Sequence, residues 1–330
     1  MERSAPATEP SHAALEQAAE WYACLRDGRA GAAERAAWSH WRDAAEEHGT
    51  AWRYVEEISR TFEPVQTLSN ARTTADQLTA AHDRLRSRRR LLAGVALLAS
   101  GGFAGMLAWR QTGLPGELLA WGADHRTRVG EQRTITLADG SRLWLNTATA
   151  IDVRFTADTR RIVLHTGEIF LQTGRDAARP LVVDTPQGRM RALGTRFNVR
   201  IDGPRTQLAV YEGAVEIRTA DSGATAVVAA GRQAGFTAAQ IEPAAAADLA
   251  REAWTQGTLV ADNIPLSEVL RELRRYRRGH LGVADEVAGL TVYGNLPIHD
   301  TDRVLAMLVS ALPIRMQQPL PWWTSIEARR

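Results

Sequence analysis

The chain has 330 residues, of which 45% are hydrophobic and 24% are charged, so it is large enough to form about two folded domains. All 40 basic residues are arginines, against 38 acidic residues, which gives a net charge of +2 at pH 7. Because there is no lysine, the usual Walker A, pyridoxal-phosphate and kinase nucleotide sites cannot form. The single cysteine, Cys24, excludes an intrachain disulfide and a Cys-rich zinc or iron–sulfur site.

Residues 1–83 are predicted to form a small bundle of three or four helices. Apolar residues recur at helical spacing from Ser11 to Gly28, from Ala32 to Glu46, and from Thr50 to Phe62. The stretch has 14 acidic residues against 8 arginines, a net charge of −6, which argues against a DNA-binding head. This acidic excess suits either a surface for a basic protein or a solvated face without a partner.

A stretch of 19 uncharged residues, 91–109, is the most apolar part of the chain. As a helix it would span about 28 Å, close to the hydrocarbon thickness of a bilayer. Five arginines lie just before it, in residues 84–90, and its other flank is poor in arginine. By the positive-inside rule, we predict one transmembrane helix with residues 1–90 in the cytoplasm and the rest of the chain across the membrane.

Residues 110–240 are predicted to form an all-β domain, either a sandwich or a solenoid. Four β-rich runs are each interrupted by a glycine, which predicts hairpins that turn at Gly140, Gly167, Gly213 and Gly231. Within these runs, apolar residues alternate with period two, so each strand has one buried face.

After an Ala-rich connector, residues 257–330 show the order strand, helix, strand twice, which predicts a small α+β domain. Its first helix and the residues after it carry Arg271, Arg274, Arg275, Arg277 and Arg278. This cluster could form a docking face for an acidic partner, although a solvated face is the commoner reason for such a run.

The predicted organisation is therefore a multi-domain bitopic membrane protein. It has an N-terminal α-helical bundle (1–83), a basic flank (84–90), one transmembrane helix (91–109), an all-β domain (110–240), a connector (241–256) and a C-terminal α+β domain built on a βαβ repeat (257–330).

The residues give little indication of catalysis. The eight histidines show no HxxH or HxxxH spacing, and there is no GxSxG or GxGxxG motif, so we predict no metal, no cofactor and no multiple-turnover enzyme. One peptide bond could react once. Between Gly194 and Thr195, the threonine hydroxyl could attack the unhindered glycine carbonyl in an N-to-O acyl shift, although glycine before a strand usually marks only a turn.

Four stretches together resemble the FecR-type transmembrane anti-sigma factors of cell-surface signalling. They are WSHWRDAAEEHGTAW (38–52), LADGSRLWLN (137–146), VDTPQGRMRALGTRFNV (183–199) and AWTQGTLVADNIPLSEVLRELRRY (253–276). The resemblance spans nearly the whole chain, and its C-terminal part resembles the short secretin/TonB N-terminal (STN) domain. The chain departs from the pattern at residues 45–48, where family members often have proline.

The resemblance implies an inner-membrane regulator with a cytoplasmic N-terminus and a periplasmic C-terminal region. Its head would bind an extracytoplasmic-function (ECF) sigma factor, and its periplasmic part would sense the signalling domain of a TonB-dependent outer-membrane receptor, often one loaded with an iron-siderophore. Periplasmic and intramembrane proteases would release the head, with no direct nucleic-acid contact. Some family members cleave themselves at the bond that corresponds to Gly194–Thr195.

The resemblance also directs attention to two sets of site residues. Those expected to organise the sigma-binding bundle are Trp21, Trp38, Trp41, His48 and Trp52. Those on the receptor side are Arg271, Arg274, Arg275 and Arg278. Two alternatives remain at this point. One is a structural or interaction protein of the cell envelope without sigma-factor binding, and the other is a membrane-anchored transcription factor, which the acidic head disfavours.

Overall fold

The computed structural model describes residues 10–26, 30–70, 122–174, 176, 178–192 and 194–329. The chain divides into two compact units. The first contains the N-terminal helices together with residues 261–294 and 300–330, and the second contains the β domain up to residue 260 together with residues 295–299.

Three helices form the N-terminal region: α1 His12–Arg26, α2 Ala32–Ala44 and α3 Glu46–Asn70. Helix α1 begins where the side chain of Ser11 accepts a hydrogen bond from the backbone N–H of Ala14 (3.3 Å), as expected for an N-cap. Helix α3 begins four residues earlier than the apolar spacing predicts and continues through Pro64. Small residues let α1 and α3 approach closely, because Ala18 and Ala51 are fully buried in one cluster.

The β domain contains two seven-stranded sheets. In spatial order, the first sheet contains β1 His125–Arg126, β4 Ala150–Phe155, β5 Arg160–Thr166, β7 Leu181–Thr185, β8 Gly188–Ala192, β11 Ala214–Thr219 and β12 Thr225–Ala229. The second contains β14 Ala245–Ala246, β13 Arg232–Phe236, β10 Arg205–Glu212, β9 Arg196–Asp202, β6 Glu168–Gln172, β3 Arg142–Leu145 and β2 Arg133–Thr136. The period-two residues Leu143, Ile169 and Val215 are fully buried in a core to which both sheets contribute.

Only one of the four predicted hairpins is correct. Strands β2 and β3 pair across the turn that contains Gly140, but the other three glycines lie where the chain leaves one sheet for the other. Gly167, Gly213 and Gly231 have φ of +90°, +76° and +74°. A positive φ serves a corner between two sheets as well as a hairpin, because in both cases the chain must turn sharply where L-residues are strained.

The C-terminal region begins with a 3₁₀ helix, Leu249–Gln256, and continues as β15 Thr258–Pro265, α4 Leu266–Arg274, β16 His280–Val283, α5 Asp285–Ala288, β17 Thr291–Pro297, α6 Thr301–Ala311, β18 Ile314–Leu320 and β19 Trp323–Ala328. Strands β15 and β17 pair with each other, and β19 lies between β16 and β18. The last strand, β19, was not predicted. It pairs parallel to β16 and antiparallel to β18, and its first residue, Trp323, is fully buried.

The predicted fold class and localisation need correction in their membrane part. Among the residues that the structure describes, no helix is long and apolar enough to cross a membrane. Helix α3 has 25 residues but carries Glu46, Arg53 and Glu57 along its length. The bitopic fold class and the single-pass inner-membrane localisation are therefore contradicted. The predicted helix 91–109 and its flank 84–90 lie outside the described residues.

Candidate functional site

An open groove lies between α2 and α3, with two tryptophans in its lining. Trp38 and Trp52 are half-buried, and their ring centroids are 4.9 Å apart at 58°. The groove has a volume of ≈ 670 Å³ and is also lined by the charged side chains of Arg42, Asp43, Glu46, Arg53 and Glu56. An aromatic floor with a charged rim is the usual composition of a protein-binding surface.

A second aromatic pair fixes the connection between the same two helices. The rings of Trp41 and His48 stack at 4.7 Å and 11°, and Nδ1 of His48 lies 2.8 Å from the backbone oxygen of Trp41. The indole N–H of Trp41 donates to Oε1 of Gln17 on α1 (2.6 Å). The Trp41–His48 pair therefore links all three helices.

The structure brings four of the five predicted bundle residues together, as two pairs. Trp38 and Trp52 line the groove, whereas Trp41 and His48 brace the connection between α2 and α3. Trp21 is half-buried on α1 and forms no ring contact with these four among the described residues. In addition, the guanidinium of Arg42 lies 4.8 Å from the ring centroid of Trp38, a cation–π distance.

The Gly194–Thr195 peptide lies between β8 of the first sheet and β9 of the second. Gly194 has φ +80°, a conformation that L-residues rarely adopt. Thr195 is only 4% exposed, and its side-chain oxygen Oγ1 is buried with no hydrogen-bond partner among the described residues. A buried hydroxyl without a partner is uncommon, because its desolvation goes uncompensated.

Two residues contact this peptide from either side. Thr173, just after β6, accepts a hydrogen bond at Oγ1 from the N–H of Thr195 (2.8 Å) and donates from the same oxygen to the carbonyl of Thr195 (3.1 Å). On the other side lies Gly213, where an added Cβ would stand 2.4 Å from the carbonyl oxygen of Gly194 and 2.9 Å from Cγ2 of Thr195. The peptide is thus closely confined, while the hydroxyl of Thr195 remains unpaired.

The sequence analysis missed a buried polar network on the second sheet. The carboxylate of Glu168, 3% exposed, accepts hydrogen bonds from the side-chain amides of Asn146 and Asn198, each at 2.9 Å. The indole N–H of Trp254 donates to Oδ1 of Asn198 (3.2 Å). Asn146, Asn198 and Trp254 all belong to stretches that carry the family resemblance, and that shared membership was the available signal.

A buried ion pair, also missed, anchors the loop that carries Thr173. Nη1 of Arg160 lies 2.7 Å from Oδ2 of Asp139, and both side chains are almost fully buried. The same guanidinium donates to backbone oxygens of Gly174 (3.1 Å) and Asp176 (3.2 Å). Burial alone raises the pKa of Asp139, but hydrogen bonds from Ser141 and the Arg160 guanidinium outweigh it and hold that pKa below its ordinary value.

The predicted receptor-side arginines do not form one uniform face. Arg275 pairs with Glu272 (2.9 Å), and Nε of Arg274 donates to the backbone oxygen of Leu281. Arg271 is exposed and pairs with Glu268 (3.0 Å), as its helical spacing predicts. Arg278 is exposed just after α4.

The described residues contain no cluster of three or more His, Cys, Asp or Glu side chains that could ligate a metal ion. Cys24 is exposed as a free thiol on α1.

Comparison with known proteins gives two family matches. The family model described as FecR protein matches residues 123–216, and a domain of unknown function, DUF4880, matches residues 16–58. The chain is similar in structure to a candidate anti-sigma factor from Parabacteroides distasonis ATCC 8503. Two crystal structures of that protein each align to this chain with a TM-score of 0.50 and 24% sequence identity. The alignments cover 61% and 62% of this chain and 97% of each crystallised chain. No curated protein matches the chain.

At 24% identity, the crystal structures show a shared fold. The two family matches fall in the expected order, the DUF4880 match on the helical head and the FecR match on the β domain. The predicted resemblance to the FecR-type anti-sigma factors is confirmed by these matches, which cover residues 16–58 and 123–216.

Proposed function

We propose that the chain is an anti-sigma regulator whose helical head binds an ECF sigma factor at the groove between α2 and α3. The observation that carries this proposal is the half-buried pair Trp38 and Trp52 inside the segment 16–58 that matches DUF4880. Half-buried aromatic rings in a groove are favourable anchors, because covering their remaining surface with a partner gains apolar contact at little cost in side-chain entropy. The acidic head favours a basic surface on the sigma factor.

A charge reversal at the rim of the groove tests this assignment. Asp43 is exposed in the lining of the groove, whereas Glu20 is exposed on α1, outside that lining. In the full chain, Asp43→Arg should weaken binding of the cognate sigma factor by about tenfold, because it places a positive charge against the basic partner surface. Glu20→Arg, with the same charge change, should leave binding within about twofold. Isothermal titration calorimetry measures both. Equal effects of the two variants would place the binding surface elsewhere.

The β domain and the C-terminal region form the signal-receiving part in this proposal. Their partner is the signalling domain of a TonB-dependent receptor, which would contact the exposed arginines that include Arg271 and Arg278. Proteolysis would then separate the head from the rest of the chain and release the sigma factor. The protein itself catalyses no multiple-turnover reaction in this proposal.

A single self-cleavage between Gly194 and Thr195 is part of the same proposal. Oγ1 of Thr195 attacks the carbonyl carbon of Gly194, the C–N bond breaks, and the hydroxyl proton passes to the nitrogen. Water then hydrolyses the resulting ester, leaving a carboxylate on Gly194 and restoring the Thr195 hydroxyl. The buried, unpartnered Oγ1 of Thr195 supports this step. Mass spectrometry of the full chain should find fragments that end at 194 and begin at 195, and Thr195→Ala should leave the chain intact.

A further inference from the structure

We infer that Thr173 and Gly213 position the Gly194–Thr195 peptide for its acyl shift, so that this bond is reactive only when the β domain is folded. The inference rests on the proposed self-cleavage and adds two residues to it. Thr173 follows β6, and Gly213 lies between β10 and β11, so both contacts come from parts of the chain distant in sequence from the bond.

Thr173 contacts the nitrogen that the reaction releases. Its Oγ1 lies 2.8 Å from that nitrogen and accepts its N–H. Once the hydroxyl has attacked, the nitrogen has lost its amide resonance and takes the hydroxyl proton before the C–N bond breaks, so it is transiently positively charged and a stronger donor. The same hydrogen bond therefore strengthens as the reaction proceeds, and an interaction that strengthens along the reaction lowers its barrier.

Thr173 also holds the other end of the attacking residue. Its backbone N–H and its Oγ1 both donate to the carbonyl oxygen of Thr195, at 3.0 and 3.1 Å. These bonds satisfy the backbone of Thr195 and leave only its side-chain hydroxyl without a partner. Restricting the backbone in this way favours attack, since less conformational freedom is lost on the way to the transition state.

Gly213 confines the carbonyl that is attacked. An added Cβ there would lie 2.4 Å from the carbonyl oxygen of Gly194, closer than real Cβ contacts allow. Any larger residue would therefore push the Gly194 carbonyl out of place. Gly231 offers a matched comparison, because it has almost the same positive φ and also joins the two sheets, but its added Cβ would meet nothing within 4 Å.

The test follows self-cleavage of the freshly synthesised full chain over time by gel electrophoresis and mass spectrometry. We expect Thr173→Val to slow cleavage by at least about tenfold and Thr173→Ser to restore it to within about threefold of the natural chain. Gly213→Ala should slow cleavage by at least about tenfold as well, whereas Gly231→Ala should not.

Thr127 provides the control for a general loss of stability. Its hydroxyl likewise accepts a backbone N–H, from Thr149 at 2.9 Å, but it contacts residues 146–149 rather than the reactive peptide. The Thr127→Val variant should therefore undergo self-cleavage at the same rate as the natural chain. Urea unfolding of each variant shows whether it is folded under the assay conditions.

The outcomes separate the two proposals. If the natural chain is cut at 194/195 and Thr173→Val is cut equally fast, the positioning inference is overturned while self-cleavage stands. The inference is also overturned if Thr127→Val slows the reaction as much as Thr173→Val, or if Thr173→Ser does not restore it. A natural chain that stays intact overturns self-cleavage and positioning together.

Discussion

The indole N–H of Trp254 donates a hydrogen bond to the side-chain oxygen of Asn198, 3.2 Å away, across 56 residues of sequence. Trp254 lies in the 3₁₀ helix that follows the β domain, and Asn198 lies in β9. Gln132 strengthens the connection, because its side-chain amide donates both to the backbone oxygen of Trp254 (3.1 Å) and to Oδ1 of Asn146 (2.9 Å). These hydrogen bonds therefore hold the 3₁₀ helix against the buried polar network around Glu168.

Trp254→Phe removes this hydrogen bond while retaining an aromatic ring. Because Oδ1 of Asn198 would lose its indole donor inside the protein, we expect the free energy of unfolding to fall by about 1–3 kcal/mol. Urea unfolding measures the change. Trp144→Phe is the matched control, since the Trp144 indole N–H donates to no described residue, and its effect should be smaller. Equal effects would mean that ring size, not the hydrogen bond, determines the loss.

Gly167 should be far less tolerant of substitution than Gly140, although both have positive φ. An added Cβ at Gly167 would lie 2.3 Å from Oγ1 and 2.5 Å from Cα of Thr149, whereas at Gly140 it would meet nothing within 4 Å. Gly140→Ala should therefore cost only the backbone strain, about 1–2 kcal/mol. Gly167→Ala should cost at least about 3 kcal/mol or prevent folding. Thermal unfolding of both variants tests the difference, which similar melting temperatures would contradict.

Gly140 and Gly167 illustrate which features of the β domain can be predicted from the sequence and which cannot. In β3, the alternating residues Leu143 and Leu145 correctly indicate a strand with one buried face, because burial on one side of a strand has period two. In β6 the prediction of one buried face is wrong, because Phe170 is buried as well as its neighbours Ile169 and Leu171. Which strands pair with each other cannot be inferred from such local patterns. A glycine with positive φ between two strands suits both a hairpin and a corner, and only the packing of the two sheets decides that Gly140 turns a hairpin and Gly167 does not.

Some candidate site residues can likewise be recognised from the sequence, whereas others cannot. Trp38 and Trp41 are recognisable as candidates from their residue type, and the structure gives each ring a different aromatic partner. Gly194 and Thr195 are also recognisable from their residue types. Thr173 could not be found in this way, because its contact with Thr195 spans 22 residues and depends on how β6 and β9 pair. Long-range neighbours of this kind follow from the tertiary fold.

The buried pair of Asp139 and Arg160 should make the β domain sensitive to acid. The pKa of Asp139 is held below its ordinary value by Ser141 and Arg160 despite burial, so the native state binds this proton less readily than the unfolded chain does. The stabilisation is therefore fully present above the unfolded pKa of about 4 and is lost as the pH falls through the lower native pKa. Unfolding free energies between pH 6 and pH 2 should show this decline.

Asp139→Asn checks the origin of that decline. The amide retains the shape of the side chain but removes the charge opposite Arg160, whose guanidinium is almost fully buried. Breaking one side of a buried pair costs about 3–5 kcal/mol, because the other charge remains uncompensated. We therefore expect lower stability at pH 6 and a flatter dependence below pH 4. If the unfolding free energy of the variant falls as steeply below pH 4 as that of the natural chain, other carboxylates cause the decline.

Arg278 offers a direct test of the proposed receptor contact. It is exposed after α4 and forms no ion pair with the described residues, whereas Arg275 pairs with Glu272, so the charge at 278 is available to a partner. Arg278→Glu should lower the affinity for the receptor's signalling domain by about threefold to tenfold, mainly through slower association, and added salt should narrow the difference. Arg303→Glu makes the same charge change at an exposed position of α6 and should have little effect. Surface plasmon resonance at two salt concentrations separates these outcomes, and equal losses from both variants would indicate a response to net charge instead of a contact at Arg278.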